Sequence, residues 1–169
     1  VLFQSEKLHR DSSVSDHTLA DFCDVKAECD MTNPMTFIAT AGAGWEEQAE
    51  PDGESQQKPR EAEFLLAKAA ELHDAGLPLS DMALIVPYAA QVRLLRETSM
   101  ATLGPGHPLE IDTVDGFQGR EKEAVLISLV RSNTRNEIGF LADTRRMNVA
   151  LTRARRRLLI VGDSADRKR

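Results

Sequence analysis

The sequence predicts an α/β fold built on a parallel sheet with helices on both faces, and three observations carry that expectation. The runs "MALIVP" (82–87), "EAVLISLV" (123–130) and "RLLIVG" (157–162) are almost wholly apolar and do not alternate with polar residues. Strands of that kind are covered on both faces. Helical patterns separate them, and strands alternating with helices is the order of a parallel sheet. With 169 residues, 41% of them hydrophobic, the chain is long enough for one domain with a proper core.

In chain order, residues 1–34 are polar and acidic and are expected to be irregular, wrapping over a neighbour more than entering the core. The opening "VLFQ" resembles a viral-protease tag remnant and equally fits native sequence; it carries no function in either case. The domain proper is expected over 35–169. "MTFIAT" (35–40) reads as a buried strand running into the turn "AGAG", and "WEEQAEPDGESQQKP" (45–59) reads as a surface loop without period. Pro59 opens a helix whose Leu65, Leu66, Ala69 and Leu72 recur at helical spacing and which Gly76 stops. "YAAQVRLLRETSMATLG" (88–104) is a second helix, "LEIDTV" (109–114) a further strand, and "TRRMNVALTRAR" (144–155) a third helix leading into the strand at 157.

The formal charge of −6 and pI near 5.3 argue against a protein that holds nucleic acid by bulk charge. The charge is uneven, however. Residues 1–76 carry 16 acidic and 6 basic side chains, a net of −10, whereas residues 77–169 carry 11 and 15, a net of +4. A basic surface can therefore exist locally. Cys23 and Cys29 fit no zinc or redox spacing, and His9, His17, His73 and His107 stand at no ligand spacing beside them, so no metal site is expected. Two reduced thiols, with no signal peptide or apolar run of membrane-spanning length, lead to the expectation of an intracellular protein, cytoplasmic or nuclear. A first residue other than Met suggests a piece of a longer protein.

In parallel sheets chemistry gathers in loops at the carboxyl ends of strands. "PYAAQ" (87–91), "TVDGFQGRE" (113–121) and "VRSN" (130–133) are such loops. Gly116 and Gly119, three apart, leave backbone N–H groups open to a phosphate or ribose, although the same spacing also serves an ordinary turn. In "MNVALTRARRR", a helical wheel sets Met147, Ala150, Leu151 and Ala154 on one buried stripe. Arg153 and Arg146 then lie on one shoulder of the stripe, Asn148 and Arg155 on the other. A guanidinium held there suits bidentate contact with phosphate. Solvated or salt-bridged arginines snorkelling over the core are the alternative.

Together, "TVDGFQGREKEAVLISLVRSN" and "GFLADTRRMNVALTRARRRLLIVGD" resemble motifs V and VI of superfamily 1 helicases, in the upframeshift branch and its immunoglobulin-mu-binding-protein type. "FIATAG" and "IVPYAAQVRLLRE" extend the resemblance, which runs from about Ser13 to the C-terminus. It implies the second RecA-like domain of a P-loop NTPase-fold helicase, without its own Walker A. ATP would lie in the cleft shared with a first RecA-like domain of the parent chain, single-stranded DNA or RNA would lie across both, and Mg²⁺ would be held by that first domain.

The resemblance further implies that Arg153 is an arginine finger for the γ-phosphate. Glu121 accepts hydrogen bonds from the ribose, Gly119 permits close backbone approach, and Gln118 and Arg120 line the same cleft. Thr113 and Val114 contact the nucleic-acid backbone. Tyr88, Gln91, Ser132 and Asn133 are placed to do the same or to serve as caps and loop bonds. Arg155, Arg156 and Arg157 are mainly structural. Two departures from the family stand out: Ala39 replaces the Asp of "FIDTAG", and Lys58 replaces the Asn that ordinarily precedes Pro59. The alternative function is a catalytically silent α/β module that binds nucleic acid or protein; an intact Walker A and acidic motif upstream would support the motor, and their loss the module.

Overall fold

The computed structural model describes residues 18–19, 33–50, 55–130 and 143–163. Its elements in order are β1 (Met35–Ala39), β2 (Gln48–Ala49), β3 (Gln56–Gln57), α1 (Pro59–Asp74), β4 (Met82–Val86), α2 (Ala89–Leu103), β5 (Glu110–Thr113), β6 (Lys122–Ser128), α3 (Thr144–Leu151) and β7 (Ala154–Gly162). Five strands form one sheet in the order β1-β7-β6-β4-β5, and every pairing in it is parallel.

Alternation along each strand sorts the core onto two faces. Met82, Leu84 and Val86 of β4 join Ala124, Leu126, Leu159 and Val161 under α1 and α2. Ala83 and Ile85, with Val125, Ile127, Leu158 and Ile160, meet Val114, Phe117 and the Met147, Val149, Ala150 and Leu151 side chains of α3 on the other face. Both faces of the central strands are thus buried, which is why their sequences are apolar throughout.

α1 begins at Pro59, whose fixed φ suits the first turn, and α2 ends at Gly104 with φ +89. α3 is capped by Asp143, whose carboxylate accepts from the Arg145 and Arg146 amides at 3.1 and 3.2 Å.

β1, expected to be a buried strand, is an edge strand with Met35 and Phe37 exposed. Three further sequence expectations need correction. The third helix stops at Leu151 and does not run to Arg155. Thr152 caps it with N–H bonds to Asn148 and Ala150, its hydroxyl bonding back to the Asn148 and Val149 carbonyls. The chain then enters β7 at Ala154, paired with Lys122, so pairing with β6 overrides the helical pattern of "LTRAR". Arg153 lies in the turn, and Arg155, Arg156 and Arg157 lie on the strand, so the shoulder positions assigned to Arg153 and Arg155 do not exist. Secondly, the 45–59 loop contains the antiparallel β2–β3 pair, tied to α2 by Arg93 with Glu50 and by the Ser55 hydroxyl accepting from the Ala90 amide at 3.1 Å. Thirdly, Leu19 is fully buried among the α1–α2 face residues, so the N-terminal segment enters the core at that point.

Candidate nucleotide and nucleic-acid edges

The register of β5 and β6 against β4 decides where the loop residues stand. Thr113 pairs with Val86, the last residue of β4, and Ala124 pairs with Met82, the first. Residues 114–121 therefore cross from the carboxyl edge of the sheet to its amino edge, the length of β4, about 15 Å at the parallel-strand rise. Val114 and Phe117, both buried, fasten the crossing to the α3 face. Hydrogen bonds from Phe117 N to Thr113 O (2.9 Å) and from Arg120 N to Phe117 O (3.4 Å) fold it into successive turns.

One loop thus serves two edges. At the carboxyl edge stand Thr113, Tyr88 and Gln91. The Thr113 hydroxyl accepts from the Gly116 amide at 3.1 Å and keeps its proton to donate. Tyr88 is half-buried in extended backbone before α2. Gln91 is fully buried, its amide consumed by Lys58 and Ser128. Val114 turns its side chain into the core, so any contact it makes is through its backbone. Ser132 and Asn133 lie outside the described residues.

At the amino edge stand Gln118, Gly119, Arg120, Glu121 and Arg153. Gly119 has φ +81, a conformation glycine adopts freely, and no atom lies within 4 Å of where a Cβ would be. Its backbone is open to an approaching ligand. Gln118 is exposed. Arg120 is clamped to β5 through Glu110 and through Asp112 (3.5 Å), with its guanidinium 4.7 Å above the Phe117 ring. Its role is to anchor the turn; its carbonyl faces Arg153.

Arg153 is half-buried, and all its guanidinium bonds go to neutral acceptors: Nε to Val149 O (2.9 Å), Nη1 to Arg120 O (3.4 Å) and Nη2 to Thr152 Oγ1 (3.2 Å). No carboxylate among the described residues pairs with it. Its orientation is fixed while no described residue compensates its charge, an arrangement suited to binding an anion. Its own carbonyl accepts from the Lys122 amide at 3.0 Å, which locks the turn to the start of β6.

Beside it, Arg155 donates to Glu121 Oε2 (3.2 Å) and Glu123 Oε1 (3.4 Å), and Arg156 donates to Glu123 Oε2 (2.8 Å). The Glu121 hydrogen bond, followed by that of Glu123, raises the Arg155 pKa above its ordinary value. One Glu121 oxygen is held this way, and Oε1 stays free to accept. The sequence expectation placed the 113–121 loop at a carboxyl end and Arg153 on a helix leading into a strand; the residues assigned to nucleotide gather at the amino edge, brought together by the loop crossing and the α3–β7 turn.

Sequence reasoning missed the buried pair Lys58–Glu61, 2.8 Å apart and fully inaccessible, and with it Val130, a β-branched residue at φ +67. Such backbone costs about 1–3 kcal/mol and persists only where its surroundings impose it. Among the described residues no group of His, Cys, Asp and Glu could hold a metal ion, and no helix is long and apolar enough to cross a membrane.

A family model described as an AAA domain matches residues 1–165. The mouse protein named DNA-binding protein SMUBP-2 is 47% identical over 153 residues, covering 90% of this chain. The chain belongs to the superfamily 1 helicases, in their upframeshift-like branch. The DNA polymerase alpha-associated DNA helicase A of Schizosaccharomyces pombe is 39% identical over 168 residues, or 96% of the chain. An uncharacterised ATP-dependent helicase of Methanocaldococcus jannaschii is 41% identical over 172 residues, again 96% of the chain. The chain spans only 15%, 25% and 24% of the length of these relatives. Its parallel sheet with helices on both faces is the RecA-like α/β fold of P-loop NTPases.

Proposed function

We propose that this chain is the second RecA-like domain of an ATP-dependent helicase, supplying the arginine finger to a nucleotide held mainly by a first RecA-like domain of the same parent. The observation that carries the reading is the Arg153 guanidinium, oriented by three neutral acceptors and paired with no acid among the described residues, beside Gly119 and the free oxygen of Glu121. In that role Arg153 stabilises charge developing on the γ-phosphoryl group in the transition state. Glu121 accepts from the ribose, and the open backbone at Gly119 allows the nucleotide to approach. Mg²⁺ would be held by the first domain and would there supply charge neutralisation on the phosphates.

At the other edge Thr113 donates its hydroxyl proton to a phosphate of the strand, with Tyr88 beside it; such contacts position nucleic acid without reading its sequence. ATP closes the two domains on the strand, and hydrolysis lets them reopen. Because the eight-residue crossing 114–121 joins Thr113, the last residue of β5, to Glu121, nucleotide and strand act on its two ends. The relatives' names support DNA as a substrate.

Two measurements test the reading. The full-length parent should unwind a partial duplex with ATP, on DNA and RNA substrates compared side by side, and residues 1–169 alone should hydrolyse no ATP. Nucleic-acid-stimulated turnover by the 169-residue chain would show that the site is complete within it.

A further inference from the structure

The carboxyl edge buries a charge pair with no part in the nucleotide site. Lys58 and Glu61 flank the Pro59–Arg60 entry to α1, and neither reaches solvent. Glu61 is a hub. Its Oε1 takes Lys58 Nζ at 2.8 Å and the Thr40 hydroxyl at 3.4 Å; its Oε2 takes the Ser128 hydroxyl at 2.6 Å and the Val130 amide at 3.0 Å. Gln91 closes the ring, accepting from Lys58 N (2.8 Å) and donating to Lys58 O (3.2 Å) and Ser128 Oγ (3.4 Å).

Six residues thus tie the ends of β1 and β6 to the starts of α1 and α2. A buried ion pair is no better for stability than apolar residues of equal volume. A fully satisfied polar network does, however, specify one geometry. Here the specified geometry includes Val130, which among the described residues is the single non-glycine residue with positive φ. Its amide bond to Glu61 fixes the direction in which the backbone leaves β6.

We propose that Glu61 is a positioning residue for the nucleic-acid edge: paired with Lys58, it holds Val130 in the left-handed conformation and fixes Thr40 and Gln91. The backbone at Thr40, at Leu129 and Val130, and at the entry to α2 then meets the strand at set spacing. This rests on the helicase reading above. Glu61 touches no nucleic acid itself, since both its oxygens are occupied, and Gln91 acts through Lys58 and Ser128.

The test uses the full-length parent and a fluorescent single-stranded oligonucleotide at fixed ionic strength, with nucleotide affinity measured in parallel. The double variant Lys58→Met/Glu61→Gln removes the charges and keeps the volumes. It should weaken oligonucleotide binding about tenfold, the scale of lost hydrogen bonds to a charged group, while leaving nucleotide affinity unchanged. Adding Val130→Gly, which adopts positive φ without cost, should recover most of that loss. Should the double variant not fold, Ser128→Ala cuts one spoke of the hub and should give a smaller loss that Val130→Gly again recovers. No loss, or a loss that Val130→Gly leaves untouched, overturns the positioning role alone. A wild-type parent that binds no oligonucleotide overturns the helicase reading beneath it.

Discussion

Arg153 donates its Nε–H to the main-chain carbonyl of Val149, 2.9 Å away, across the turn where α3 becomes β7. The acceptor is one of the last carbonyls of a helix, where orphan oxygens and the helix dipole favour a cation. The guanidinium is therefore aimed by two carbonyls and the Thr152 hydroxyl, which orient it without neutralising it, and no carboxylate among the described residues pairs with it. A salt bridge would have aimed it too, but would have competed with a phosphate.

The aim depends on α3 being formed. Asp143→Ala removes the side-chain acceptor for two amides at its N-terminus. The domain should lose about 1 kcal/mol in denaturant unfolding. A much larger loss would mean Asp143 has a role beyond capping.

The two loop glycines differ in kind. A Cβ on Gly116 would sit 2.3 Å from Asp112 Oδ1, which also accepts from the Thr113 amide at 2.8 Å. Gly116→Ala should displace Asp112 and cost about 1–3 kcal/mol. Gly119→Ala meets no atom but carries φ +81, and should cost about 1 kcal/mol from conformation alone. Melting both variants side by side checks the order.

Phe117 pins the middle of the crossing, fully buried and under the Arg120 guanidinium. Phe117→Ala should cost about 3–5 kcal/mol. In the parent it should impair nucleic-acid binding and turnover together, since both edges hang from the same loop. Turnover falling with strand binding intact would show that the edges are independent.

For the buried pair, Lys58→Met alone leaves Glu61 uncompensated and should destabilise by about 3–5 kcal/mol. The Lys58→Met/Glu61→Gln double variant should lie much closer to wild type. Chemical denaturation of the singles and the double gives the coupling energy; additive losses would show that the two charges do not interact.

Much of this fold was legible in the sequence, for definable reasons. β4, β6, α1 and α2 announce themselves because each reports its own burial: continuous apolar runs for strands covered twice, and Leu65, Leu66, Ala69 and Leu72 at one helical stripe. The α3–β7 boundary was not legible. "LTRAR" keeps helical period, and only the long-range pairing of Ala154 with Lys122 ends the helix. The two-residue strands β2 and β3 are polar and have no period to read. Lys58 and Glu61 look like an ordinary solvated helix start, because their burial comes from Thr40, Gln91 and Ser128, each far away in sequence. Of the candidate site, residue types and loops were legible, but their division between two sheet edges required the register of β5 and β6.

The most direct measurement is the kinetics of Arg153→Ala in the full-length parent, with nucleotide affinity determined on the same preparation. The finger role predicts that nucleic-acid-stimulated hydrolysis falls by about 10³-fold while the dissociation constant for nucleotide changes by no more than a few-fold. Unchanged turnover, or a loss of nucleotide binding that accounts for the whole fall in turnover, would contradict it.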